Sequence, residues 1–264
     1  MKTKVQGTEI KYEVRGSGPL LLLLHAFPLG MFMWDPQADA LSETHRVARF
    51  DARGFGGSAL GGEPFTMERI ADDAAAVLDA LAVEKAVVGG CSMGGYAALA
   101  FARRHPRRLA GLVLQDTRAG ADSEETKATR ATLAARVLAE GAMAAVEAFL
   151  PKLLGETVQR TRPALVALVR ERILAAPREA IAGAPHGLAA REDSRGALAA
   201  IRVPTLVVVG EEDVLTPPSE ADALAAGIKD AQLVRIPQAG HLANLENPHA
   251  VNAALARFLA KPPA

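Results

Sequence analysis

Short apolar runs alternate with longer amphipathic stretches along most of the chain, which predicts an α/β fold: a mostly parallel sheet with helices on both faces. The strand-like runs are Leu20–His25, Arg46–Asp51, Ala86–Gly90, Leu109–Gln115, Thr205–Gly210 and Gln232–Pro237. A hairpin-like pair, Lys2–Gln6 and Glu9–Val14, precedes them. Between Asp116 and Gly196 the pattern changes to Ala-, Leu-, Arg- and Glu-rich helical periodicity with no strand candidate. Gly155, Pro163, Pro177 and Gly183-Ala184-Pro185 divide that stretch into several helices. The predicted organisation is one α/β core, residues 1–117 and 197–264, with a helical segment, 118–196, inserted in it.

The stretch Gly90-Cys91-Ser92-Met93-Gly94 joins the apolar run Ala86-Val87-Val88 to a helical run, Tyr96 to Ala102. A serine there occupies a tight bend, and glycines on both sides let strand and helix approach without Cβ clashes. A serine hydroxyl is a weak nucleophile at neutral pH, so it needs a histidine base and a carboxylate that orients the base. Both follow. Thr205–Gly210 runs into Glu211-Glu212-Asp213, and Gln232–Pro237 leads into Gln238-Ala239-Gly240-His241. The candidate catalytic residues are therefore Ser92, Asp213 and His241, all at C-terminal ends of predicted strands, where open α/β sheets bind ligands. Asp116, after Leu112-Val113-Leu114-Gln115, stands as an alternative acid. Cys91, the only cysteine, is one position off the centre of the turn and reads as a small buried residue beneath it.

Five ordered segments carry a resemblance to the α/β-hydrolase superfamily: Leu21-Leu22-Leu23-Leu24-His25-Ala26-Phe27-Pro28, Asp51-Ala52-Arg53-Gly54-Phe55-Gly56-Gly57-Ser58, the turn around Ser92, Gly210-Glu211-Glu212-Asp213, and Gly240-His241 with Glu246-Asn247-Pro248. The likeness spans almost the whole chain, and among subfamilies it is greatest to small bacterial carboxylesterases and 3-oxoadipate enol-lactonases. The resemblance implies an α/β-hydrolase fold in which the insertion is a helical cap over the nucleophile. It also implies the order serine, acid, histidine. Two backbone N–H groups, of Phe27 and Met93, would form an oxyanion hole that binds substrate, each donor being worth roughly 3 to 4 kcal/mol. Relatives carry His-Gly-Phe-Pro where this chain has His25-Ala26-Phe27-Pro28; a positive φ there would make Ala26 cost about 1 kcal/mol. His25 is expected to fix this loop by hydrogen bonds, Asp51 and Arg53 to tie the following turn, and Glu211 and Glu212 to be solvated.

The implied activity is hydrolysis of carboxylic esters with small to medium acyl groups, in keeping with an apolar insertion and no obvious carboxylate clamp. A lactonase acting on 3-oxoadipate enol-lactone is the alternative. It favours a cation near the pocket, for which Arg118 is the candidate, with a cap-anchoring ion pair as that residue's other role. C–C bond hydrolysis and perhydrolysis would use the same three residues, and a ligand-binding protein of this fold without catalysis is an alternative of another class. Haloalkane dehalogenases resemble the fold but carry aspartate where Ser92 stands, so that activity is not expected.

Composition narrows the partners. The 264 residues are 50% hydrophobic, enough for one large core, and Lys+Arg 30 balances Asp+Glu 30, leaving no basic surplus for nucleic acid or anionic lipid. A single cysteine excludes an intrachain disulfide and fits a reducing cytoplasm. Leu20–Leu24 is too short to span a bilayer, and no signal-peptide core follows Met1 to Gly7. The Asp51–Ser58 turn lacks the lysine of a phosphate loop and the glycine spacing of a dinucleotide turn. His45, His105, His186 and His249 share no spacing with carboxylates or thiols. The expectation is a cytoplasmic monomer or homodimer acting on a small-molecule ester or lactone, with no cofactor, metal, nucleic acid or membrane partner.

Overall fold

The computed structural model describes residues 1–260, with strands β1 (Lys2–Val5), β2 (Thr8–Arg15), β3 (Leu20–Leu24), β4 (Arg46–Phe50), β5 (Ala86–Cys91), β6 (Leu109–Gln115), β7 (Thr205–Gly210) and β8 (Gln232–Ile236). They form one sheet in the order β1-β2-β4-β3-β5-β6-β7-β8. The two N-terminal strands are antiparallel, β2 runs antiparallel to β4, and every later pairing is parallel. Side-chain patterning explains the difference. The leucines of β3 and all residues of β7 are buried, as parallel strands covered on both faces require, whereas β2 alternates buried Thr8, Ile10 and Tyr12 with half-exposed Glu9, Lys11 and Glu13.

The strands match the sequence reading to within a residue at each end. His25, Asp51 and Pro237 fall just outside the ladders, because there the chain turns into loops; His25 and Asp51 spend their side chains tying those loops together.

Helices α1 (Asp35–Leu41), α2 (Met67–Ala80) and α3 (Met93–Arg104) lie between the earlier strands. Thr66 caps α2 by accepting the Arg69 N–H, and Ile70, Ala71, Ala74, Val77 and Leu78 form its buried stripe. Between β6 and β7 come α4 (Glu124–Glu140), α5 (Met143–Leu153), α6 (Glu156–Thr161), α7 (Pro163–Ala175) and α8 (Arg178–Ala189); α9 (Pro218–Gly227), α10 (Ala243–Glu246) and α11 (Pro248–Leu259) complete the chain. Gly155, Pro163 and Pro177 mark helix starts, as expected. Gly183-Ala184-Pro185 does not divide the insertion. It lies inside α8, where Ala184, Pro185, Gly187 and Leu188 are buried, so packing outweighs the hydrogen bond that Pro185 cannot make.

The turn after β4 is held by buried charge. Arg53 donates to Asp73 of α2 through Nε at 2.8 Å and Nη2 at 2.7 Å, and both residues are buried. Asp73→Ala would strand the Arg53 guanidinium without its carboxylate, and a loss of about 3 to 5 kcal/mol is expected in urea unfolding. Replacing both partners by apolar residues of similar volume should recover most of it. No helix among the described residues is long and apolar enough to cross a membrane.

Candidate active site

The loops after β3, β5, β7 and β8 converge at the C-terminal edge of the sheet. Ser92 leaves β5 at φ 53° and ψ −112°, a left-handed conformation that its surroundings must enforce. A Cβ on Gly90 would lie 2.0 Å from the Gly94 carbonyl oxygen, and one on Gly94 would lie 2.2 Å from that of Leu24. Neither position accepts a side chain, which is the physical content of the two motif glycines. Ser92 donates its N–H to Gln115 O at 3.0 Å, and Thr117 Oγ1 donates to Ser92 O at 2.9 Å. The bend is thus pinned to β6 and to the residues following it.

His241 Nδ1 lies 2.8 Å from Asp213 Oδ2, and both side chains are buried. Asp213 also accepts from Thr216 Oγ1 at 2.7 Å, Leu215 N at 2.8 Å and Thr216 N at 3.1 Å. Burial would push its carboxyl up, but the neighbouring His241 and the Thr216 hydrogen bonds outweigh burial and hold it below the ordinary value. An ionised Asp213 accepts a hydrogen bond from Nδ1–H, which keeps the proton on Nδ1 and leaves Nε2 free to accept.

Asp116 does not join this pair. Its Oδ1 accepts from Gly210 N at 2.7 Å and its Oδ2 from Ala243 N at 3.3 Å, fastening the ends of β7 and of the histidine loop. Burial, followed by the charge of Asp213, holds this carboxyl well above the usual carboxylate range.

Phe27 and Met93 line the same cavity as Ser92 and His241. Met93 is the first residue of α3, where a helix leaves N–H groups without intrahelical partners. Neither the Phe27 nor the Met93 N–H donates to a protein acceptor among the described residues. Ala26 is free of the anticipated strain, since its φ is not positive. His25 braces the loop: Nε2 accepts Ala52 N–H at 2.9 Å, so Nδ1 carries the proton and donates to Ala26 O at 2.9 Å. Burial lowers the pKa of this imidazole, consistent with a neutral ring.

The cavity measures about 460 Å³, and the insertion supplies much of its wall. Leu133, Ala148, Phe149, Leu153 and Leu188 form an apolar side. The cation expected near the pocket, Arg118, does face the space, and Arg130 and Lys152, which the sequence did not single out, stand there too, with Glu125. Arg118 and Arg130 share the buried Asp122 with Arg191, which lies over the Tyr96 ring at 4.2 Å. One carboxylate serves three guanidiniums, so with Lys152 set against Glu125 the cluster on this wall keeps a net positive charge. Arg118 therefore fills both roles considered for it, ion pair and cavity wall.

Cys91 is buried beneath the turn, with Sγ 3.5 Å from His241 O, and burial raises its thiol pKa far above the usual value. Glu211 is exposed as expected. Glu212 is not simply solvated: it accepts the Thr157 N–H at 2.8 Å and the Thr157 hydroxyl, contacts with the insertion that sequence spacing could not reveal. Thr216 was also overlooked, although Asp-x-x-Thr is a recognisable side-chain turn signal. Among the described residues no group of three or more His, Cys, Asp or Glu side chains is arranged to hold a metal ion.

Comparisons with known proteins agree with this architecture. A thermophilic esterase from Thermogutta terrifontis, solved with malate bound, is 43% identical and superposes with a TM-score of 0.95 over 100% of this chain and 97% of its own. The enol-lactonase from Burkholderia xenovorans LB400 is 30% identical, with a TM-score of 0.92 over 99% of this chain and 100% of its own. The 3-oxoadipate enol-lactonase 1 of Acinetobacter baylyi is 28% identical over 250 residues, 94% of this chain and 92% of that protein. The family described as "alpha/beta hydrolase fold" matches residues 19–248, and the chain belongs to the α/β-hydrolase family.

Proposed function

We propose that the protein is a serine hydrolase that cleaves carboxylic esters of small to medium acyl chain through an acyl-enzyme. The reading rests on one observation above all: the strained Ser92 and His241, itself paired with the buried Asp213, line the same cavity. Ser92 Oγ attacks the ester carbonyl while His241 Nε2 takes its proton. Asp213 holds the ring in the Nδ1–H form and stabilises the imidazolium. The tetrahedral oxyanion accepts from Phe27 and Met93 N–H, the second of these at the positive end of the α3 dipole. His241 then protonates the departing alcohol, and in a second cycle activates water against the acyl-enzyme. Residues 118–196 act as a cap on a core formed by 1–117 and 197–264; their apolar side chains exclude water from the reacting carbonyl.

A second reading, a lactonase of the 3-oxoadipate enol-lactone type, is favoured by the cationic wall of Arg118, Arg130 and Lys152, which suits a substrate with a free carboxylate. Two of the relatives above are named enol-lactonases, and the related esterase binds malate, itself a dicarboxylate. The deciding experiment is steady-state hydrolysis of p-nitrophenyl acetate, butyrate and octanoate beside 3-oxoadipate enol-lactone. Highest kcat/KM on the short esters is expected. A value on the lactone about 100-fold or more above the best ester, roughly 3 kcal/mol of transition-state preference, would transfer the assignment to the lactonase.

A further inference from the structure

Two acidic side chains outside the serine–histidine–aspartate set reach from the catalytic loops to one corner of the insertion, the start of α6. Glu246, the last residue of α10 just after the histidine loop, is buried. Its Oε1 accepts from Leu242 N at 3.0 Å and its Oε2 from Gly155 N at 2.7 Å. The residue immediately after His241 is therefore held by a carboxylate that at the same time grips Gly155 of the insertion, whose backbone packs closely against Gly240, the residue before His241. Glu212, next to Asp213, takes the Thr157 N–H two residues further on. Arg162, beyond the far end of α6, donates through Nη1 to Glu246 O at 2.7 Å. Glu246 has no capping duty of its own for α11, since Asn247 performs it by accepting from Ala250 N.

We propose that Glu246 is a positioning residue for His241, acting by locking the histidine loop to the α5–α6 corner of the insertion. This rests on the serine-hydrolase reading. Every neighbour that Glu246 meets presents an N–H, so only a carboxylate satisfies them all. Glutamine would keep one acceptor and turn its NH₂ against a backbone donor, freeing either the loop or the corner. A ring displaced by a fraction of an ångström still binds ester, but it takes the serine proton poorly. The signature is thus a loss in kcat with little change in KM.

The test uses the full-length enzyme and its Glu246→Gln and Arg162→Ala variants on p-nitrophenyl acetate. Rates are normalised to the serine that reacts with diethyl p-nitrophenyl phosphate, so that misfolded molecules do not count. Glu246→Gln is expected to lower kcat per reactive serine about tenfold with KM changed less than about twofold, and Arg162→Ala to lower kcat by about twofold or more. Wild-type kcat per reactive serine in Glu246→Gln would overturn the proposal. If that variant does not fold, an unchanged kcat in Arg162→Ala overturns it instead. Failure of Ser92 in the wild type to react with the phosphate reagent would overturn the serine-hydrolase reading and this proposal with it.

Discussion

Ser92→Ala is expected to lower kcat on p-nitrophenyl acetate by at least about 10⁴-fold, because no other side chain at the bend supplies a nucleophile. Cys91 cannot substitute: its thiol is buried, points beneath the turn and is held protonated by burial and the nearby Asp116 and Asp213. What remains in the variant should be the weak acceleration that oriented N–H groups give to water attack. Stability should hardly change, since the φ of 53° burdens serine and alanine alike and the backbone bonds of Ser92 N and O to Gln115 and Thr117 persist. A variant that melts with the wild type yet retains ester turnover would remove Ser92 from the reaction altogether.

Asp213→Asn should follow closely, with kcat lower by about 10⁴-fold. An asparagine can meet His241 Nδ1 with its NH₂ group, which selects the tautomer whose proton sits on Nε2 and so blocks acceptance from Ser92. It also forfeits the negative charge that stabilises the imidazolium. Asp116→Asn is the informative partner. Asp116 contacts Gly210 and Ala243 N–H groups, not His241, and burial with the charge of Asp213 favours its neutral form. In Asp116→Asn the amide oxygen can keep the Gly210 N–H while the NH₂ faces the Gln115 side chain, whose amide can turn its oxygen to accept, so a loss of less than about tenfold is expected. The pair is read out in parallel as kcat/KM at neutral pH; if Asp116→Asn proves the more damaging, the carboxylate assignment is wrong.

The sheet was legible because its signal is local. A parallel strand buried on both faces must be apolar along its whole length, so Leu20–Leu24 and Thr205–Gly210 announce themselves, and residues that end such runs must lie on one edge of the sheet. The Gly-x-Ser-x-Gly turn was legible for the same reason: its glycines answer clashes within a few residues of each other and with the next strand. Long-range satisfaction leaves no such trace. Nothing in the order of residues says that Arg118, Arg130 and Arg191 would meet on Asp122, or that Glu246 would find Gly155 across 91 positions. Nor could periodicity foresee that α8 would run through Pro185, because that outcome depends on how well the helix is buried rather than on its propensity.

The insertion enters after β6 and returns at β7, and these strands are direct neighbours, with Leu112 opposite Thr205 and Gln115 opposite Val208. For the sheet, residues 116–204 are a single excursion between adjacent partners. Closure entropy grows only logarithmically, so even doubling such an excursion costs about 0.6 kcal/mol. If the insertion is the cap proposed above, grafting a longer or shorter one is expected to leave the scaffold intact, provided the graft offers backbone donors where Gly155 and Thr157 now stand and covers the core where α8 now packs. On the proposed reading of this segment as a cap, substrate choice can change through it while the contacts that pin it to the catalytic loops, Gly155 to Glu246 and Thr157 to Glu212, stay in place.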